Sequence, residues 1–422
     1  MRKFLTLILV TGPLCAQMDH SSMQHDLSGH EMSGHDMLGG MVMEASGTSF
    51  NPAASPMNDM LHLSAGSWRL MLHGQVFVGD TQQSGPRGGD KFASMNWFMG
   101  EASHSVWGGT FAVRSMLSVD PATVTNKRYP ELFQTGETAQ GRPITDGQHP
   151  HDLFMELAVR YTHPLGENKR FWLYAAPVGD PALGPVAFPH RVSAAELPQA
   201  TLGHHLQDST HISDEVVTGG VGWGIFGLEA SGFHGGEPDE NRWNIDHGAM
   251  DSYSGRLTVS PNKNWSGQVS AGRLTRPEAL EPGDQVRTTA SVTYVRPYAR
   301  GEWASSVLWG RVHKLADGHK LNGYGVESVA RFGDVNYLTG RVELVDKDEL
   351  FAGQFARRAA VPDRGIYGGV HAGFEFYPAS GDRAGGEFYA VQHAAGGSSG
   401  LWAASGSGIG VPANPAAGVV GA

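Results

Sequence analysis

From Trp68 onward the chain is written in stretches of about ten residues in which apolar and polar side chains alternate, and this restricts its fold more than anything else. In 69–78, Leu70, Leu72, Gly74, Val76 and Val78 fall on one face, and Arg69, Met71, His73, Gln75 and Phe77 on the other. In 152–163, Leu153, Met155, Leu157, Val159 and Tyr161 oppose Asp152, Glu156, Arg160 and Thr162. In 366–377, Ile366, Val370, Ala372, Phe374 and Phe376 oppose Tyr367, His371, Glu375 and Tyr377. A period of two is the signature of a strand with two unlike faces.

The reading places strands at 69–78, 91–100, 105–118, 152–163, 169–177, 211–221, 224–234, 252–260, 265–274, 286–297, 302–313, 322–332, 335–346, 365–377 and 385–393. The links between them run long, short, long, short. Gly222-Trp223, 261–264 and Gly333-Asp334 are short; 119–151 and 178–210 are long. Short turns at one end and long loops at the other are the habit of outer-membrane barrels, whose strands of this length cross the apolar band when tilted. Charged residues sit in mid-strand on the polar face, Arg160 with Glu156 and Arg341 with Glu343, as a wet lumen permits. A soluble β-helix or sandwich is the competing architecture. Composition fits the barrel: 58 glycines, ten tryptophans and only 17% charged residues. No stretch has 18 uninterrupted apolar residues, so spanning helices are not expected. A net charge of −11 argues against nucleic acid as partner.

The expected fold is therefore all-β, a transmembrane antiparallel β-barrel of about 16 strands (14–16) after a disordered N-terminal segment. Residues 1–16 read as a signal peptide, 17–66 as a Met/His-rich segment and linker, 67–394 as the barrel, and 395–422 as a low-complexity tail or atypical last strand. Arg2 and Lys3 precede the apolar run Phe4–Val10, and Leu14-Cys15-Ala16 ends in a small residue before Gln17. Cleavage after Ala16 removes Cys15, the only cysteine, and with it any disulfide or zinc-thiolate site. The tail ends Val-Val-Gly-Ala, where barrels of this kind usually end in an aromatic residue.

Between Met18 and Met43 the chain reads MDHSSMQHDLSGHEMSGHDMLGGMVM, with the tandem units SGHEM and SGHDM at its centre. His20, His25, His30 and His35 recur every five residues among Met18, Met23, Met32, Met37, Met41 and Met43. Thioether sulfur suits Cu(I), and imidazole suits Cu(II), zinc or nickel, so a flexible chain of both follows copper through either redox state. No lysine or arginine between Phe4 and Trp68 repels a cation. These ten residues are the expected copper ligands. A flexible polar leader without ligands is the alternative.

This segment resembles the Met/His-rich leader of copper-resistance outer-membrane proteins of the copper resistance B type. The resemblance covers Met18–Met43 only, while the remainder looks like uncharacterised bacterial outer-membrane barrels. It implies copper ions as ligand, a barrel in the outer membrane of a Gram-negative cell with the leader in the periplasm, and periplasmic copper carriers and membrane lipid as partners.

The long links carry a second set of candidates. The first holds Asp146, His149, His151 and Asp152; the second His190, His204, His205, Asp208 and His211. His149, His151, Asp152, His204, His205, Asp208 and His211 are the candidates for a metal site or constriction in the lumen. The competing reading is that they tie loops to one another above the pore, and their spacing, which matches no established metal motif, favours it. A third link, 234–247, holds His234, Glu237, Asp239, Glu240, Asp246 and His247. Gly222-Trp223-Gly224-Ile225-Phe226-Gly227 fits a dinucleotide fingerprint but sits in an expected hairpin. Gly396–Gly400 fits a nucleophile elbow without its strand and helix.

The functional expectation is copper binding, sequestration or transport by an outer-membrane barrel, with a general diffusion porin as the alternative. A barrel hydrolase using Ser209 or Ser213 with His211 is the third reading.

Overall fold

A computed structural model describes residues 44–56, 60–83, 87–281, 283–332, 336–349, 365–376, 384–394 and 403–407. The Met/His segment and its ten expected ligands lie outside the described residues. The strands are, in chain order, β1 (Glu44–Ser46), β2 (Ser49–Phe50), β3 (Met60–Ala65), β4 (Trp68–Gln82), β5 (Asp90–Val106) and β6 (Gly109–Leu117). Helix α1 (Asp120–Thr123) and the hairpin β7 (Tyr129–Ala139) and β8 (Arg142–Gln148) follow. Next come β9 (Phe154–Gly166), β10 (Lys169–Gly179), helix α2 (His204–Gln207), β11 (Ser213–Trp223), β12 (Phe226–Phe233), β13 (Ser252–Asn262) and β14 (Trp265–Leu274). The chain continues through β15 (Gln285–Tyr298), β16 (Gly301–Lys314), β17 (Lys320–Phe332), β18 (Asn336–Lys347), β19 (Gly365–Phe376), β20 (Ala384–Ala394) and β21 (Ala403–Ser407).

A closed barrel runs in the order β3-β4-β5-β6-β9-β10 and on to β21, which meets β3 at the seam. All fifteen expected strands are present, and the short β3 and β21 bring the number among the described residues to seventeen, one above the expected range of 14–16. Strand β3 corrects the reading of the last part of 17–66 as a linker. Met60–Ala65 carries only six residues, too few for the alternation to stand out, yet it pairs with β4 from Met60↔His73 to Ala65↔Trp68. The same stretch holds β1 and β2, a hairpin lodged among lumenal side chains. Its Gly47 N–H donates to Glu156 and its Thr48 hydroxyl accepts from Arg256.

The barrel is greasy outside and polar within. Leu72, Val159, Leu173, Val221, Leu228, Leu257, Val269, Val307, Val326 and Leu338 face outward and are exposed. Their neighbours in sequence point inward, where Arg and Glu stand directly opposite one another across adjacent strands. Arg114 donates to Glu101 at 2.8 Å, Arg256 to Glu229 at 2.9 Å and Arg341 to Glu327 at 3.0 Å, each pair in register. Such charges are stable in the interior because each meets its opposite. Arg341 takes Glu327 rather than Glu343, and Arg160 pairs with Glu44 of the hairpin rather than with Glu156. Exterior side chains at 40–60% exposure are tolerable only against hydrocarbon, so this barrel spans a membrane.

Among the described residues the tight turns lie at one end. Trp107-Gly108 joins β5 to β6 with positive φ at both residues, 52° and 75°, the geometry of a two-residue hairpin turn. Gly224-Ile225 joins β11 to β12, so the glycine-rich stretch is a hairpin as the alternation requires. One alternation fails. Met155, expected on the lipid face, is buried in the lumen. The β6–β9 register jumps from Met116↔Glu156 to Leu117↔Phe154, a bulge that leaves Met155 unpaired and re-aims it.

Candidate metal centre in the lumen

Both longest links fold into the barrel. Residues 180–212 are buried almost throughout. Arg191 fixes this segment to the wall, donating through Nε and Nη2 to the two carboxylate oxygens of Glu327 at 2.7 and 3.0 Å. Its Nη1 reaches Asp208 at 3.0 Å. Helix α2 lies flat against β16, where a Cβ at Gly310 would stand 2.2 Å from the Leu206 carbonyl oxygen. Segment 119–153, which links β6 to β9 beside β10, packs with it. Asp120 accepts from the Asn96 amide at 2.8 Å, and Arg242, from the third link, pairs with Glu137 and with Asp152.

Between these segments five histidines come together. Ring centres of His204 and His205 are 5.1 Å apart, His204 and His211 5.4 Å, His149 and His205 5.7 Å, and His151 and His211 5.8 Å. His205 fits because Gly136, at φ +128°, has no side chain; a Cβ there would lie 2.6 Å from the imidazole. Four of the rings have Nδ1 held. His151 meets Asp120 at 2.9 Å, His204 meets Asp208 at 2.7 Å, His211 meets the Asp208 carbonyl at 2.9 Å, and His149 meets the Pro150 carbonyl at 2.9 Å. A carbonyl or carboxylate on one nitrogen, which leaves the other as a lone pair, is how metal-binding histidines are oriented. Nε2 of His205 and of His211 is buried without a hydrogen-bond partner. Nε2 of His149 lies 2.9 Å from Glu137 Oε1 without hydrogen-bond geometry, so the ring faces an oxygen on both sides.

Burial holds three of these imidazoles neutral. His204 is pushed down to about 4, and His205 and His211 to about 3, burial being the largest cause in each. Burial raises Asp208 as well, but the His204 hydrogen bond and charge, with the Arg191 charge, outweigh it and hold the carboxylate below its ordinary range. Glu237, whose Oε1 is 3.7 Å from His205 Nδ1, is raised, chiefly by burial and then by the charge of Glu137.

Two imidazoles bound to one tetrahedral ion at about 2.0 Å place their ring centres about 5 Å apart. His204–His205 and His204–His211 stand near that spacing. Ring rotation about Cβ–Cγ remains necessary, because the one described trio with ligand atoms all within 4.8 Å of one another is Glu278, Glu281 and Glu349. That trio already holds a cation: Lys314 Nζ is 2.6 Å from Glu281 and 3.8 Å from Glu349.

Of the seven lumenal candidates, His149, His151, His204, His205 and His211 converge; Asp208 orients two of them. Asp152 instead ties Arg242 at 3.0 Å and serves the loops. The sequence reading missed Asp120, Arg191 and Arg242, since nothing local marks a residue whose partner is some 30 to 140 positions away. The hydrolase reading finds no support. Ser209 accepts from Arg287 at 2.9 Å and Ser213 donates to the Thr210 carbonyl at 2.9 Å, and His211 Nδ1 meets the Asp208 carbonyl.

No family model matches the chain, and no curated protein matches it. Solved structures of similar course include an anion-selective porin from Comamonas acidovorans, 10% identical over 79% of this chain and 97% of that one, with a TM-score of 0.44. OmpT of Vibrio cholerae is 8% identical over 82% of this chain and 97% of its own, with a TM-score of 0.43. OmpF of Salmonella typhi, solved in complex with daunomycin, is 9% identical over 82% and 98%, with a TM-score of 0.42. At these values the likeness transfers neither activity nor residue roles to this chain.

Proposed function

We propose that the protein is an outer-membrane channel narrowed by its own loops, and that transition-metal ions, copper foremost, are the solutes it binds and passes. The observation that carries this reading is the meeting of five imidazoles in the lumen, four of them held at Nδ1 and three, His204, His205 and His211, kept neutral by burial. Neutral nitrogen lone pairs hold Cu(II), Zn(II) or Ni(II) and ignore Mg(II), which demands oxygen. The leader fits the same purpose. Its methionines and histidines gather copper on the periplasmic side, where carriers deliver or collect it.

The test is ion flux into proteoliposomes carrying the full chain. Zn(II) and Cu(II) should enter faster than Mg(II), and His204→Asn with His205→Asn should abolish the difference. Equal flux of all three ions overturns the reading in favour of a general channel for small solutes. One observation favours that second reading. The wall charges neutralise one another in Arg–Glu pairs, so those pairs give the lumen no single-sign field. Deleting 18–43 should lower copper tolerance of the cell; unchanged tolerance removes the leader from the scheme.

A further inference from the structure

Methionine is confined to one side of this barrel. Met60, Met71, Met95, Met99, Met116 and Met155 all lie on the neighbouring strands β3, β4, β5, β6 and β9, and strands β10 to β21 have none. On β4, β5, β6 and β9 every buried aliphatic side chain larger than alanine is a methionine, namely Met71, Met95, Met99, Met116 and Met155. Elsewhere the lumen uses leucine and valine in such positions: Val216, Leu274, Val295, Leu308, Val312, Val329 and Val345. Packing alone does not ask for that change of residue type, since leucine and valine fill the same kind of space across the barrel.

Strand register aligns these residues. Met60 stands opposite His73, His73 opposite Met99, Met99 opposite Met116, and Met116 opposite Glu156. Directly opposed residues share a face and lie about 5 Å apart. The result is a transverse row on the lumen wall, Met60–His73–Met99–Met116, with Met71 and Met155 packed against it. The bulge that turns Met155 inward serves the same row. Trp97 packs in the same cluster, its indole plane perpendicular to that of His73 with ring centres 4.7 Å apart and steeply inclined to that of His190 at 4.3 Å. His190 is 8% exposed, and its Nε2 has no hydrogen-bond partner.

We propose that Met60, His73, Met99 and Met116, backed by Met71 and Met155, form a binding site for a soft monovalent metal ion, Cu(I) or Ag(I). Thioethers are the soft ligands that persist where thiols oxidise, and three rotatable bonds let neighbouring methionines turn their sulfurs onto one ion. The site takes the ion class that the imidazole cluster holds less well, so the lumen offers sulfur for the reduced metal and nitrogen for the oxidised one. This inference deepens the metal-handling reading and rests on it for the ion's arrival in the lumen; the binding itself is separately measurable.

The experiment is Ag(I) titration of the full chain in detergent by calorimetry, with Zn(II) titrated in parallel. Met99→Leu with Met116→Leu keeps volume and apolar character. It should bind one Ag(I) fewer per chain than the wild type, with Zn(II) binding unchanged. His73→Gln, which leaves every methionine in place, should weaken that same Ag(I) by about tenfold or more. Folding of each variant is read from its faster migration in unheated gels. Unchanged Ag(I) stoichiometry in the folded double variant, or unchanged affinity in His73→Gln, overturns the proposal. Loss of Zn(II) binding in His204→Asn/His205→Asn with Ag(I) intact tests the imidazole cluster instead, so the two readings fail separately.

Discussion

Arg191 decides whether the long segment 180–212 stays inside the barrel, and replacing it should open the lumen. The side chain is 1% exposed and holds three groups at once: both oxygens of Glu327 on β17, Asp208, and the Val186 carbonyl. Arg191→Met keeps most of the volume and removes every one of those donors. Removing one partner of a buried ion pair typically costs about 3–5 kcal/mol, because the remaining charge stays buried. Here the lower end applies, since Glu327 keeps Arg341 at 3.0 Å and Asp208 keeps His204 at 2.7 Å. A loss of about 3 kcal/mol raises the population with the segment released by roughly a hundredfold. Hydrogen exchange in detergent reads that population at the Phe188 amide, which donates to Asp208 at 3.0 Å. Exchange there should speed up by roughly the same factor, while amides of β13 and β14 stay protected. Single-channel conductance in planar bilayers should rise in parallel. Wild-type exchange at Phe188 with unaltered conductance in Arg191→Met refutes the claim that this ion pair holds the constriction.

Acid should loosen the same segment. His190, His204, His205 and His211 all lie below the ordinary histidine value because of burial, and these four outnumber Asp180, which burial raises, so the released segment binds more protons than the docked one. Docking is then fully stable above about 6.5 and weakens as pH falls towards about 3. Conductance recorded from pH 7.5 down to 4 should increase, and a flat or falling profile rejects the assignment. On the outer face, Leu257→Arg places a charge on an exposed site midway along β13 and should cost about 2–4 kcal/mol of refolding stability in lipid vesicles. An unchanged urea midpoint would mean that Leu257 does not meet hydrocarbon.

Alternation alone located β4–β6 and β9–β20, because a membrane barrel writes its two environments directly into successive residues. Where it misled, local geometry had intervened. The bulge at Met155 shifts the face of one residue without leaving a sequence signal, and β3 is too short for a period to show. The hairpin β1–β2 carries polar and small residues that resemble a linker; only lumenal partners such as Glu156, Asp180 and Arg256 explain why they are buried. The imidazole cluster was half legible. His149, His151, His204, His205 and His211 stood out by type, but no spacing rule brings two separate loops to one point.

The row of methionines was present in the sequence as a lopsided distribution, yet its meaning required the register that sets Met60, His73, Met99 and Met116 side by side. Periodicity is a local property, fixed by which neighbours a residue turns from hydrocarbon or water, and so the long strands, their faces outside the bulge at Met155 and the barrel class were determined by sequence alone. Which loops enter the lumen, which arginine meets which glutamate, and which ligands face one another depend on contacts between residues far apart along the chain. Those were decided only when the sheet closed on itself and left its interior as the one place where those charges and imidazoles find partners.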